Sequence, residues 1–187
     1  HRHCDALVND GVRDSDWEWI LKCYPHLDSI AGHSIRPHTR FQNYFPQARY
    51  YTTVREPISR SLSHYQYSRV KGGTEAPFSD WMPAHSNLMC QIICVEENSQ
   101  RAIDLIEERG IFVGRMDCFN ESLLLWRDWC GLDWLDLTYS STNTARSQKI
   151  KQEVLQDPSN QELLPECNHE DQKLYEYVCS IIYPRQC

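Results

Sequence analysis

Apolar positions along the chain alternate between short continuous runs and stripes at helical spacing. Residues 49–54 (RYYTTV) are aromatic and β-branched, which predicts a buried strand, and Arg55-Glu56-Pro57 follows directly. Pro57 suits the first position of a helix, where its missing N–H is not needed. Ile58, Leu62 and Tyr65 then repeat at helical spacing until Gly72-Gly73, so strand, tight turn and helix follow one another. Residues 99–108 predict a second amphipathic helix ended by Gly110, 111–114 a second buried strand, and 120–130 a helix stopped at Gly131. Upstream, Ser15-Asp16-Trp17-Glu18 has capping-box form and predicts a short helix to about Cys23, and residues 29–33 predict a short strand ending at Gly32-His33. Asn168 is expected to cap a last helix whose Leu174, Val178 and Ile181 share one face, with acids in its first turn.

Strands alternating with helices imply an α/β fold with a mainly parallel sheet flanked by helices. Ligands of such sheets bind beyond the carboxyl ends of the strands, and Arg55 stands at one such end. No repeat, low-complexity tract or long linker interrupts the pattern. The 187 residues, 41% hydrophobic with six Trp and ten Tyr, are enough for one core, so 1–187 is expected to be a single domain. No run approaches the roughly 18 apolar residues of a membrane span, and HRHCDALVND is not a signal peptide. Any membrane attachment is therefore expected through a segment outside this chain.

Charge and cysteine content sharpen this picture. A formal charge of −7 argues against a surface that coats nucleic acid. Between Ser29 and Gly73, however, the only acid is Glu56, against Arg36, Arg40, Arg49, Arg55, Arg60, Arg69 and Lys71, so an anionic ligand would be drawn to this segment. Nine cysteines are many for a cytosolic chain and lack the paired spacing of zinc ribbons, which predicts an oxidising compartment and mostly paired thiols. His85, Cys90 and Cys94 have spacing that zinc could use, but no fourth ligand is evident, and packing or a disulfide is the preferred reading. Asn120-Glu121-Ser122 is a glycosylation sequon at a helix start, where Asn120 could equally be the cap.

The chemistry is concentrated in Arg55-Glu56-Pro57-Ile58-Ser59-Arg60-Ser61-Leu62-Ser63. A helix N-terminus offers free N–H groups and the positive end of a dipole, so an arginine just before it and a serine two turns in suit a phosphate. The bland alternative is an Arg55 paired with a nearby acid and a Ser63 facing solvent. The whole phrase RYYTTVREPISRSLSHYQY resembles the 3′-phosphate-binding strand-turn-helix of the Golgi-type carbohydrate sulfotransferases, whose pattern is R-D/E-P-x-x-R-x-x-S. Ala31-Gly32-His33, Phe112-Val113-Gly114 with Phe119-Asn120-Glu121-Ser122-Leu123, Ser141 to Arg146, and Leu174-Tyr175-Glu176-Tyr177 are similar to further segments of that family, in order, especially its heparan sulfate 2-O- and 6-O-sulfotransferases.

The resemblance implies a P-loop-like sulfotransferase fold using 3′-phosphoadenosine 5′-phosphosulfate as donor and a carbohydrate, for example a glycosaminoglycan-like chain, as acceptor. It implies that Arg55 and Ser63 hold the 3′-phosphate, supported by Arg60, with Arg146 near the donor. Asn87 and Gln91 would be acceptor contacts, and a Golgi-lumenal, type II membrane setting or secretion would follow. The family's first strand and its 5′-phosphosulfate loop have no counterpart here, so that loop is expected upstream of His1. Sulfuryl transfer needs a base and cations but no metal cofactor. Histidine suits the base: His3 first, then His1 and His33. Two further readings stay open from sequence, a non-catalytic nucleotide- or glycan-binding module and a disulfide-rich extracellular interaction domain.

Overall fold

The computed structural model describes residues 22–25, 29, 45–140 and 148–187. Strand β1 (Tyr51–Val54) leads into α1 (Pro57–Val70), then the short α2 (Phe78–Trp81), α3 (Leu88–Cys94) and α4 (Ser99–Arg109). Strand β2 (Phe112–Arg115) follows, then α5 (Phe119–Cys130), α6 (Lys149–Gln156), α7 (Pro158–Cys167) and α8 (His169–Tyr177). A π-helical turn (Val178–Ile182) joins α8 to α9 (Tyr183–Gln186). The strands pair in parallel, Tyr51 opposite Phe112 and Val54 opposite Arg115. The α/β class and the parallel pairing are as expected. Among the described residues, however, the sheet has only these two strands and helices predominate. The expected helix at 15–23 and strand at 29–33 lie outside the described residues, apart from helical Lys22 and Cys23 and from Ser29.

β2 is the buried strand, with Phe112, Val113 and Gly114 all inside. A Cβ on Gly114 would meet Ser122 Cβ at 3.1 Å and Thr53 Cγ2 at 3.4 Å, so glycine lets β2 lie between β1 and α5. β1 departs from the expectation of a buried strand: only Val54 is buried, and Tyr51 is 47% exposed with its ring 5.3 Å from that of Trp126. Its aromatic and β-branched residues suit a half-covered face as well as a fully covered one, which composition alone does not separate. Gly110, at φ 57°, closes α4 in the left-handed region and lets the Ile111 N–H reach Ile106 O at 3.0 Å.

Among the described residues, two apolar clusters form the interior. Val54, Met89, Ile93, Ala102, Leu105, Ile106, Val113, Leu174, Val178 and Ile182 pack around the strands. Leu62 and Tyr65 of α1 join Phe78, Trp81, Met82, Val154 and Leu164 in the second. The buried Ser61 hydroxyl links the two halves by donating to Asn168 Oδ1 at 2.9 Å.

Helix capping departs from the local reading. Asn168 directly precedes α8, yet its amide donates to Leu164 O at 2.8 Å. The Glu170 and Asp171 N–H groups at the start of α8 donate instead to Asn87 Oδ1, at 2.9 and 3.2 Å. In return the Asp171 carboxylate accepts from the N–H groups of Met89 and Cys90 in the first turn of α3, at 2.9 and 2.8 Å. Each helix caps the other. On the final face Leu174 and Val178 point inward as expected, but Ile182 is buried where Ile181 was expected. The π turn accommodates an extra residue and carries the inward position one residue on.

The expected disulfides are not formed: the eight cysteines among the described residues are all free thiols, and Cys4 lies outside them. Cys90 and Cys94 share one buried face of α3, with the Cys94 thiol donating to Cys90 O at 3.2 Å. Among the described residues no helix is long and apolar enough to cross a membrane.

Candidate anion-binding cleft

A cleft of about 200 Å³ opens at the carboxyl ends of the two strands, lined by Thr52, Thr53, Arg55, Arg60, Met89, Ile92, Ile93 and Met116. Arg55 directly follows β1, and Met116 directly follows β2. Pro57, at the first helical position, fixes the turn that carries Arg60 back to the same cleft from α1. Met89, Ile92 and Ile93 of α3 supply an apolar wall.

The start of α1 is already capped, which corrects the expectation of free backbone donors there. Glu56 Oε1 accepts from the Ile58 N–H at 3.0 Å and Oε2 from the Ser59 N–H at 2.7 Å, while the Arg60 N–H donates to Glu56 O at 3.0 Å. Pro57 has no N–H to offer. Glu56 thus occupies the place a phosphate would fill at a free helix start, and any anion here would have to be held by side chains.

The cationic side chains near this turn are Arg55 and Arg60, which line the cleft, and Lys151, which lies beside Ser63. Lys151 of α6 donates from Nζ to Ser63 Oγ at 2.9 Å, across 88 residues of sequence. Burial, then the positive charge of Arg55, pushes the Lys151 ammonium below its usual range. Arg60 is likewise lowered by burial, with the Asp171 carboxylate opposing and Arg55 adding to the shift. The charge of Arg55 thus acts on both Arg60 and Lys151. Among the described residues, neither arginine nor Lys151 forms an ion pair. An anion would relieve this like-charge crowding, so the geometry favours an anionic ligand.

Of the residues singled out from sequence, Arg55 and Arg60 line this cleft, while Ser63, two turns into α1, is not among its lining residues and bonds Lys151 instead. His1, His3, His33 and Arg146 lie outside the described residues. Asn87 is 2% exposed and both its amide atoms are engaged, Oδ1 capping the start of α8 and Nδ2 on Glu97 at 2.9 Å. Gln91 donates to Ser86 O at 2.9 Å and Glu97 Oε1 at 3.2 Å, and is not among the residues lining the cleft. Hydrogen bonds from Asn87 and then Ser86 hold the Glu97 carboxyl below its usual range.

His85 stacks on Trp81, centroids 3.9 Å apart, with Nδ1 2.7 Å from Trp81 O. Among the described residues no three His, Cys, Asp or Glu side chains converge on a metal position. Asn120 is not the cap of α5: it lies in the first turn and accepts from the Tyr139 hydroxyl at 2.8 Å. Sequence reasoning missed Lys151, for which no local signal exists, and the Glu56 cap, for which an acid just before Pro57 was a usable one. Comparison with models of known families, with curated proteins and with solved structures gave no match.

Proposed function

We propose that the chain is a carbohydrate sulfotransferase domain that binds 3′-phosphoadenosine 5′-phosphosulfate through its 3′-phosphate and passes the sulfuryl group to a sugar hydroxyl. One observation carries the reading. The R-x-x-x-x-R-x-x-S spacing that resembles the family's phosphate motif coincides with a strand-turn-helix, a cleft at the strand end lined by Arg55 and Arg60, and a lysine on Ser63 that has no ion-pair partner among the described residues. These residues fit an anion: Arg55 offers a planar fork of donors and Ser63 retains its hydroxyl hydrogen while accepting from Lys151.

In the proposed reaction the acceptor hydroxyl attacks sulfur in line, the bond from sulfur to the bridging oxygen breaks, and adenosine 3′,5′-bisphosphate leaves. A base takes the hydroxyl proton; His3 is the first candidate, with His33 next. Arg55 and Ser63 hold the nucleotide in register and Arg60 adds positive potential at the cleft. The setting proposed from the resemblance is the Golgi lumen, and the free thiols add no support to it.

The test is calorimetry with adenosine 3′,5′-bisphosphate. Arg55→Ala is expected to weaken binding by about 1.5–3 kcal/mol, roughly tenfold to hundredfold. Arg69→Ala should leave it unchanged, because Arg69 lies in the last turn of α1 and donates to Glu75 O at 2.8 Å. Ser63→Ala, losing one neutral donor, is expected to cost less than Arg55→Ala. Equal binding by the Arg55 and Arg69 variants would remove the main support for the reading.

A further inference from the structure

The motif around Arg55 does not contain the cation that touches Ser63; that cation arrives from α6. We propose that Lys151 is a third ligand of the bound anion and makes the site select a nucleotide carrying a 3′-phosphate over one ending in a 3′-hydroxyl. The inference rests on the donor-site reading above and extends it to specificity.

Three features support it. The Lys151 ammonium has three N–H donors, of which the bond to Ser63 Oγ uses one, leaving two for a phosphate reaching the same hydroxyl. No acid among the described residues neutralises it: Glu153, on the same helix, lies 3.8 Å from Lys149 instead. Finally, Lys151 is half-buried and in the field of Arg55, an arrangement that costs free energy while nothing negative is present. A doubly charged phosphate among Arg55, Lys151 and Ser63 removes that cost. A 3′-hydroxyl brings no charge and leaves the cations facing each other. Discrimination therefore comes from groups left unneutralised with the wrong ligand, the arrangement by which polar sites reject analogues most effectively.

The experiment compares adenosine 3′,5′-bisphosphate with adenosine 5′-monophosphate by calorimetry, using the whole chain and its Lys151→Met, Lys151→Arg, Lys149→Met and Arg55→Ala variants. Circular dichroism of each variant checks that the fold is retained. Lys151→Met is expected to weaken the bisphosphate by about tenfold to hundredfold and the monophosphate by less than about threefold. Lys151→Arg should restore most of the loss, since charge and donors return, and Lys149→Met, whose side chain is 80% exposed, should change nothing. If Lys151→Met leaves bisphosphate affinity intact while Arg55→Ala loses it, Lys151 has no ligand role and the donor-site reading stands. An equal fall for both nucleotides overturns the selectivity. If Arg55→Ala has no effect, or the wild-type chain binds neither nucleotide, the donor-site reading fails and this inference fails with it.

Discussion

Asp171 shows how much a single side chain holds in this protein. It is fully buried, its two oxygens accept from the Met89 and Cys90 N–H groups in the first turn of α3, and its charge acts on Arg60. Removing it leaves two buried donors without partners and a half-buried cation with less compensation. Asp171→Ala is expected to destabilise the protein by about 2–4 kcal/mol, combining a lost cap with unsatisfied buried N–H groups. Asp171→Asn, which keeps one acceptor oxygen, should cost less. Urea unfolding of the two variants checks this; an alanine variant within about 0.5 kcal/mol of wild type would show that α3 finds other caps. The residue was legible as an acid in the first turn of α8, but only as a partner of that helix's own dipole. Its true partners lie 81 and 82 residues away. Asn168 misled for the same reason: adjacency in sequence suggested a cap that the fold takes from Asn87.

At the scale of elements, the start of α8 organises three helices. Asp171 caps α3, Asn87 caps α8, and Glu170 reaches the start of α4, accepting from the Ser99 N–H at 2.8 Å and its hydroxyl at 2.5 Å. Lys173, then Ser99, holds the Glu170 carboxyl down at about 2 from an ordinary 4.5. A carboxyl depressed by folding contributes stability that is complete above about pH 4.5 and is lost as pH falls toward 2. Glu170→Gln should therefore be less stable than wild type at neutral pH, by up to about 1 kcal/mol for a partly solvated pair, with the gap closing between pH 4.5 and 2. A gap constant across that range in thermal melts would rule out the charge as its source. The elements themselves were the most legible part of the sequence. Helix α1 runs from Pro57 to Val70, as the proline, the apolar spacing and the glycine pair indicated, and α4, β2 and α5 lie within a residue of expectation. Such features follow from local chemistry; cross-helix caps and the π turn depend on what packs opposite.

At the scale of the molecule, the site was half legible for a related reason. Arg55, Arg60 and Ser63 belong to one contiguous motif, whereas Lys151 meets Ser63 only because α6 packs on α1. That packing lies inside the second of the two apolar clusters, the one between α1, α2, α6 and α7; the other surrounds the strands. Whether they unfold as one unit can be read from the thiols. Cys90, 0% exposed in the first cluster, and Cys167, 9% exposed in the second, are both free. Burial raises both thiols above their usual range, so neither reacts appreciably until the structure opens. The clusters are tied by the buried Ser61–Asn168 hydrogen bond and by the Asn87 N–H, which donates to Cys167 O at 2.8 Å. We therefore expect one cooperative unit in which Cys90 and Cys167 are protected by the same opening free energy, while exposed Cys23 and Cys187 label at once. Pulsed alkylation read by mass spectrometry across a urea series measures each site. Should Cys167 label at least tenfold faster than Cys90 in dilute urea, the cluster holding Lys151 opens on its own, and anion binding would then have to stabilise Cys167 selectively.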